Sequence, residues 1–507
     1  MFCNQATRLL SRRSYWTLHM RFSRTIRVAV LIFGAGVCAM AQNDATTQDT
    51  PPPPAQQPAQ QETTPAPAFG QNAPVLNPEN PPISGLDQPT LEMRGATRSF
   101  FSPGLQVSES ADTNTGNQLG NSQLRSVSRV LGALDLQRFW PKSDLFLEYL
   151  GGVAFFSRGS QDVRQLHALA GMFVTRWRTG QITFRDSFTD LPEGSFSVGA
   201  YGGAPGLGLA RGGVGTGIPG GGLPGTNFFG NGQFGSIALT PRISNLAIAD
   251  IVQGLSPRSA LTVAGGYSTA HFLDNNSSLI NSEQFTIEGG YSHLINRRDQ
   301  AAIVYGFQEF VFPLAAGGKV DVNVVNLRYG RTITGRLNLL VGAGPQYVSI
   351  YSPQPGGGVT QNRLSMSARA RLVYKFPRTA LSVSYEKFTS SGSGFFAGAD
   401  TQVARVSVNR PLGRTWEFFG DAGYSYHKRL QSLLFVGTAG TSYSDGFAGV
   451  ALRKQIGRNY GIFAASRFGE LAFNNSFCAN GGSCSRISQR YIGTVGVDWH
   501  PRPIRIE

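Results

Sequence analysis

Gly215-Thr-Gly217-Ile-Pro-Gly220 has the spacing of the glycine fingerprint that cradles a dinucleotide's pyrophosphate. That fingerprint needs a strand before it and a helix after it, so that the helix N-terminus meets the phosphates. Pro219 and the surrounding glycines, 17 of them from Gly194 to Gly235, exclude the helix, and the match is one of spacing alone. Cys478 and Cys484 lie close together in a polar stretch, the pattern of a loop disulfide in an exported protein. A metal site would need two more ligands and none is local, so no metal or other cofactor is expected. His167, His271, His293, His427 and His500 stand in unrelated contexts, with no serine and carboxylate beside them in a nucleophile arrangement. Each is expected to be a single strand-end or interface residue, and no enzymatic activity is expected.

The remaining chemistry is ionic and follows a regular pattern. From Arg363 to Phe376, Leu364, Met366, Ala368, Ala370, Leu372, Tyr374 and Phe376 occupy one face of a period-2 strand. Ser365, Ser367, Arg369, Arg371 and Lys375 occupy the other, with Val373 the exception. After Pro377-Arg-Thr, Leu381, Val383 and Tyr385 alternate with Ser382, Ser384 and Glu386. Each arm is long enough to cross a bilayer as a tilted strand, about 9–11 residues. A half-buried soluble sheet alternates in the same way, so repetition along the chain has to decide.

Composition narrows the class. Charged residues are 15% of the chain and glycines number 63, against about 25% charged in an ordinary globular protein. No uninterrupted apolar run of about 18 residues occurs, which excludes a helical membrane protein. The net charge of +15 falls on the strand-rich region once a basic leader is set aside. Its Arg and Lys are scattered singly along strands, which disfavours a nucleic-acid partner.

Residues 1–41 carry six arginines and no acid and end in an apolar run closing Ala39-Met-Ala41, the form of a signal peptide, with Met20 a possible true start. Residues 42–94 are Pro- and Gln-rich and are expected to be a disordered periplasmic segment. From residue 95 to 507 strand patterns recur between short turns with a basic residue. Arg258, Arg298, Arg336, Arg378, Arg414 and Arg458 mark these turns at intervals of 36 to 44 residues. A propeller also repeats near 40, but its blade needs four strands and each interval here holds two. Longer polar loops lie at the opposite strand ends. Counting arms gives 16 strands, or 18 with one near 95–107 and one near 487–499. Trp140, Trp177, Trp416 and Trp499 all lie at the short-turn end, where an interfacial aromatic girdle would place them.

Together the leader, the alternation, the asymmetric loops and the terminal aromatic strand resemble the porin-like outer-membrane β-barrels of Gram-negative-type bacteria. The resemblance covers about residues 95–500 and departs from the pattern after Trp499, where His500–Glu507 follow. It implies an all-β transmembrane antiparallel barrel of 16–18 strands in the bacterial outer membrane, inserted by the barrel-assembly machinery, with lipid and small solutes as partners. The oligomeric state stays open. With the oily face toward lipid, Arg185, Arg328, Arg369, Arg371, Lys375, Arg405 and Arg453 point into the lumen, with Glu148, Glu288, Glu386, Glu417 and Asp498. A charge at the lipid midplane costs about 2–4 kcal/mol, which assigns the faces. The function expected is passive diffusion of small hydrophilic solutes, anions among them, with the Gly-rich loop 194–235 either inside the lumen or outside it. The alternative is a surface structural or adhesion barrel with a plugged lumen.

Overall fold

The computed structural model describes residues 99–506 apart from 115–123, 158–162, 192–241, 274–278, 314–317, 354–357, 376–378, 431–439 and 475–484, and the single positions 297, 335, 393, 414, 458, 500 and 503. The first nine strands are β1 (Phe100–Asp112), β2 (Arg125–Phe139), β3 (Ser143–Phe156), β4 (Val163–Trp177), β5 (Gly180–Leu191), β6 (Arg242–Ser256), β7 (Ser259–Phe272), β8 (Ser282–Leu294) and β9 (Asp299–Phe312). Then come β10 (Gly318–Thr334), β11 (Leu337–Ser352), β12 (Val359–Lys375), β13 (Ala380–Ser390), β14 (Ala399–Leu412) and β15 (Trp416–Arg429). β16 (Ser442–Ile456), β17 (Tyr460–Phe473), β18 (Ile487–Trp499) and the two-residue β19 (Ile504–Arg505) complete the series.

Each long strand pairs antiparallel with its sequence neighbour, and β1 pairs with both β2 and β18, in the register Leu105↔Trp499 and Val107↔Val497. Eighteen long strands therefore close into a cylinder. Closure removes the unpaired strand edges that hydrocarbon cannot hydrogen-bond. The chain beyond Trp499 is used as well: β19 adds to the foot of β1 through Phe100↔Arg505, and Ile506 donates its N–H to the Ser99 carbonyl at 3.1 Å.

The turns on one rim, such as those between β10 and β11 or β14 and β15, are short, and their chemistry is local. Asn296 Oδ1 accepts from the backbone N–H groups of Arg298 and Asp299 at 2.8 and 2.9 Å. Gly413 and Gly457 hold φ of 86° and 63°, left-handed values that a side chain resists. Trp140, Trp177, Trp416 and Trp499 all sit on strand ends at this rim, on the outward parity.

Alternation is kept around the cylinder. In β1, Gln106, Ser108, Ser110 and Asp112 are buried while Leu105 and Val107 are exposed; in β8, Gln284, Thr286 and Glu288 are buried while Phe285 and Ile287 are exposed. Apolar side chains cover the outside, while the inside holds the polar and ionic side chains together with an apolar cluster of Leu131, Ala133, Leu150 and Leu166.

The interior is apolar at the long-loop end. The connection between β13 and β14 folds inward instead of rising from the rim. Phe396 packs with Ala399, Tyr443, Leu471, Phe473 and Ile492 from β14, β16, β17 and β18. Ala397 packs with Phe310, Phe312, Val320, Val322, Val348 and Ile350 from β9 to β11. Gly394 accepts a backbone hydrogen bond from Ile280 at 2.8 Å, far around the wall. Gly392, Gly394 and Gly398 hold φ of 83°, 86° and 87°, and a Cβ on Gly394 would stand 2.6 Å from Phe272 Cζ.

This inward turn leaves a fork in the wall. β11 pairs with β12 up to Ser352↔Val359, and β13 with β14 up to Ser390↔Ala399. Between β12 and β13 the ladder stops at Ala368↔Lys387. Arg363 Nη2 and Asp400 Oδ2, 3.4 Å apart, reach across the top of β13.

Candidate functional site

The inner wall carries the ionic chemistry, and glycines on intervening strands make room for it. Arg453 Nη2 on β16 meets Asp498 Oδ2 on β18 at 2.9 Å, with both side chains nearly fully buried. The strand between them presents Gly461, whose absent Cβ would lie 2.5 Å from Asp498 Oδ1 and 2.9 Å from Arg453 Nη2. Arg328 Nη2 on β10 meets Glu288 Oε1 on β8 at 2.9 Å. Gly342 gives space to the Arg328 stem, since a Cβ there would stand 3.0 Å from Arg328 Cγ.

Arg185 on β5 is ion-paired with Asp250 on β6. Arg490 on β18 donates from Nε to both carboxylate oxygens of Asp112 on β1, at 2.9 and 3.0 Å, where the barrel closes on itself. Charge-assisted contacts of this kind are the strong ones in a dry environment.

Three strands carry a more accessible charged patch. Arg369 Nε and Glu386 Oε1 are 3.5 Å apart and more accessible than the pairs above. Arg371 lies within electrostatic reach of Glu386, Arg369 and Arg405. The registers Arg369↔Glu386, Arg371↔Ser384 and Ser384↔Arg405 put all four on the inner face of β12, β13 and β14. Among the described residues, three cations thus gather beside Glu386.

Of the residues singled out in the sequence, the structure brings together Arg328 with Glu288, Arg453 with Asp498 and Arg369 with Glu386, and gathers Arg371 and Arg405 beside the last pair. Arg185 pairs with a residue that sequence reasoning missed. Lys375, Glu148 and Glu417 lie on β12, β3 and β15, at the register partners of Ala380, Asp135 and Arg453; their side chains lie outside the described residues. So do Cys478, Cys484 and the Gly-rich loop 194–235.

Sequence reasoning also missed Asp112, Asp250, Arg490 and Arg129, whose Nη1 donates to Ser110 Oγ. Each falls on the inward parity of its strand, which on β2 and β6 also carries apolar residues such as Leu131 and Ile248. His427 is not isolated either. Its Nδ1 and Nε2 meet Thr401 Oγ1 at 3.0 Å and Ser425 Oγ at 2.8 Å, and its ring stacks on Tyr443 at 4.5 Å. Ser390 and Thr401 extend the chain of hydroxyls at 2.7 Å. This network ties the base of the inward connection to β14, β15 and β16.

A closed cylinder with an apolar outside, a polar and ionic inner wall and tryptophans on one rim can only be accommodated in a bilayer. Its architecture is that of a porin-like outer-membrane β-barrel. No family model matches the chain, and no curated protein matches it. Solved structures give loose superpositions. The outer membrane protein OpdK of Pseudomonas aeruginosa is 11% identical with a TM-score of 0.39, over 80% of this chain and 99% of its own. OccK5 (OpdH) of the same organism is 12% identical with a TM-score of 0.38, over 80% and 98%. The ferric-catecholate import receptor Fiu of E. coli K12 is 7% identical with a TM-score of 0.38, over 78% and 81%. At this looseness they add nothing beyond the chain's own closed ladder.

Proposed function

We propose that the mature chain is a passive diffusion pore for small hydrophilic solutes that prefers anions. The observation that carries the preference is the grouping of Arg369, Arg371 and Arg405 beside Glu386 on the inner face of adjacent strands. Barrels of this strand number leave an aqueous channel, and a cationic patch on its wall concentrates anions by field rather than by fit. Arg185, Arg328 and Arg453, matched by carboxylates, hold the wall in shape and contribute little net field. Residues 1–41 serve export and residues 42–94 a periplasmic tether; insertion requires the barrel-assembly machinery. The pore uses no cofactor and carries out no catalysis.

Single-channel recording in planar bilayers tests this reading. Arg371→Gln with Arg405→Gln should lower the anion-to-cation permeability ratio severalfold while openings persist. Unchanged selectivity would remove the role given to these arginines, and the absence of any open level in the wild type would remove the pore. A second reading, a surface barrel with a plugged lumen, draws on the apolar packing of Phe395, Phe396 and Ala397 at the long-loop end. Liposome swelling by small sugars separates the two: swelling supports the pore, and none supports the plug.

A further inference from the structure

Glycines hollow the inner wall between β8 and β12. Gly306 on β9 pairs with Glu288 on one side and Val324 on the other, and its absent Cβ would stand 3.1 Å from Val324 Cγ1. Gly342 and Gly344 on β11 lie against Arg328 and Asn326 of β10. All fall on the inward parity of their strands. A glycine inside a strand weakens it, and one use of the loss is to let something approach the backbone closely. The outcome here is a cavity of about 70 Å³ in the inner wall, room for roughly five to seven waters at about 10–15 Å³ each.

The neutral polar groups of this recess keep hydrogen-bonding capacity in hand. Ser367 Oγ reaches over Gly344 and donates to Asn326 Oδ1 at 2.6 Å, which leaves the Asn326 amide N–H groups to donate. Gln346 Nε2 donates to Thr389 Oγ1, which leaves the Gln346 carbonyl oxygen to accept. The half-buried Gln308 amide meets no hydrogen-bond partner among the described residues. These amides stand on the adjacent strands β9, β10 and β11.

The ions of the recess are already matched. Arg328 meets Glu288 at 2.9 Å and Arg369 meets Glu386 at 3.5 Å. Lys387 adds one cation, at the edge where the β12–β13 ladder ends. An ion entering among amides and hydroxyls would lose hydration to neutral dipoles, which is costly. A solute hydroxyl donates and accepts at once, and a side-chain amide offers a donor and an acceptor side by side.

We propose that this recess is a binding site for a small neutral polyhydroxylated solute, of the size of a tetritol. Gln308, Asn326 and Gln346 hold its hydroxyls, and Val304, Val324 and Phe388 meet its C–H edges. The site adds to the diffusion reading and does not depend on the anion preference.

Saturation-transfer NMR on the full-length barrel in detergent micelles, with erythritol as the probe, should give a saturable signal. Gln308→Leu keeps the side chain's bulk and removes its amide. It should weaken erythritol about fivefold or more, the effect of about one lost hydrogen bond. A terminal butanediol has the same chain without the inner hydroxyls, and succinate has the same length with two charges. Neither should compete, because a site built to hydrogen-bond hydroxyls rejects the analogue that lacks them. Competition by either at equal concentration, unchanged affinity in Gln308→Leu, or no saturable signal in the wild type would overturn the inference.

Should Gln308→Leu fail to fold, the competition series on the wild-type protein decides alone. Liposome swelling in erythritol reports axial passage separately. Swelling without saturable binding removes the site and keeps the pore; saturable binding without swelling keeps the site and removes the pore.

Discussion

A buried ion pair ties together the two strands on which the cylinder closes. Arg490 on β18 and Asp112 on β1 are 1% and 0% exposed at their side chains, so neither is screened by lumenal or external water. Asp112 also accepts the backbone N–H of Asn114 at 3.0 Å, which holds the start of the β1–β2 connection. Asp112→Ala deletes the carboxylate that the buried Arg490 guanidinium meets through both Nε and Nη2. Breaking a buried pair on one side costs about 3–5 kcal/mol, whereas replacing both partners by apolar groups is often nearly neutral. Asp112→Ala should therefore lose about 3–5 kcal/mol, and Asp112→Ala with Arg490→Met should recover most of it. The assay is reversible urea unfolding in lipid vesicles followed by tryptophan fluorescence, with midpoint and slope fitted for wild type, both single variants and the double variant. A loss below about 0.5 kcal/mol for Asp112→Ala, or a double variant no more stable than the single, would refute the reasoning.

Other expectations follow from the same wall. Gly461→Ala puts a Cβ within 3 Å of both partners of the Arg453–Asp498 pair and should cost about 1–3 kcal/mol by overpacking, measured in the same unfolding assay. Phe395→Ala with Phe396→Ala loosens the inward connection and should raise single-channel conductance without changing the rim turns; unchanged conductance would separate this segment from the axial path. Gly394→Val, which meets Phe272 and a left-handed backbone at once, should displace the connection and raise conductance in the same direction. Mass spectrometry without reductant should find Cys478 and Cys484 joined in exported protein.

Most of the wall was legible in the sequence because two environments impose one rule on every strand. Leu364 and Met366 had to face away from Ser365 and Ser367 wherever lipid lay on one side, and the same period of 2 marks strands such as β1 and β8, while β2, β3 and β6 also turn apolar residues inward. The turns were legible because Gly413, Gly457 and Asn296 do their work within three or four residues. What remained hidden was partner choice. Arg328 reaches over β9 to Glu288, and Arg453 over β17 to Asp498. Such pairs follow from register and from glycines such as Gly342 and Gly461, which in the sequence are only two among 63.

The segment joining β13 to β14 was hidden for another reason. Phe395 and Phe396 look like the beginning of another strand. Only the left-handed φ values at Gly392, Gly394 and Gly398, stacked against Phe272 and Leu430, turn the chain into the barrel and end the β12–β13 ladder early.

The most direct test of the account is nitroxide scanning of β8 in lipid vesicles, one cysteine at a time from Gln284 to Glu288 in a Cys478→Ser, Cys484→Ser background. Collision with membrane-dissolved oxygen should be high at 285 and 287 and low at 284, 286 and 288, with a water-soluble nickel chelate showing the opposite order. Equal accessibility at all five positions, or high chelate access at 285 and 287, would contradict a barrel whose apolar side meets hydrocarbon and whose polar side encloses water.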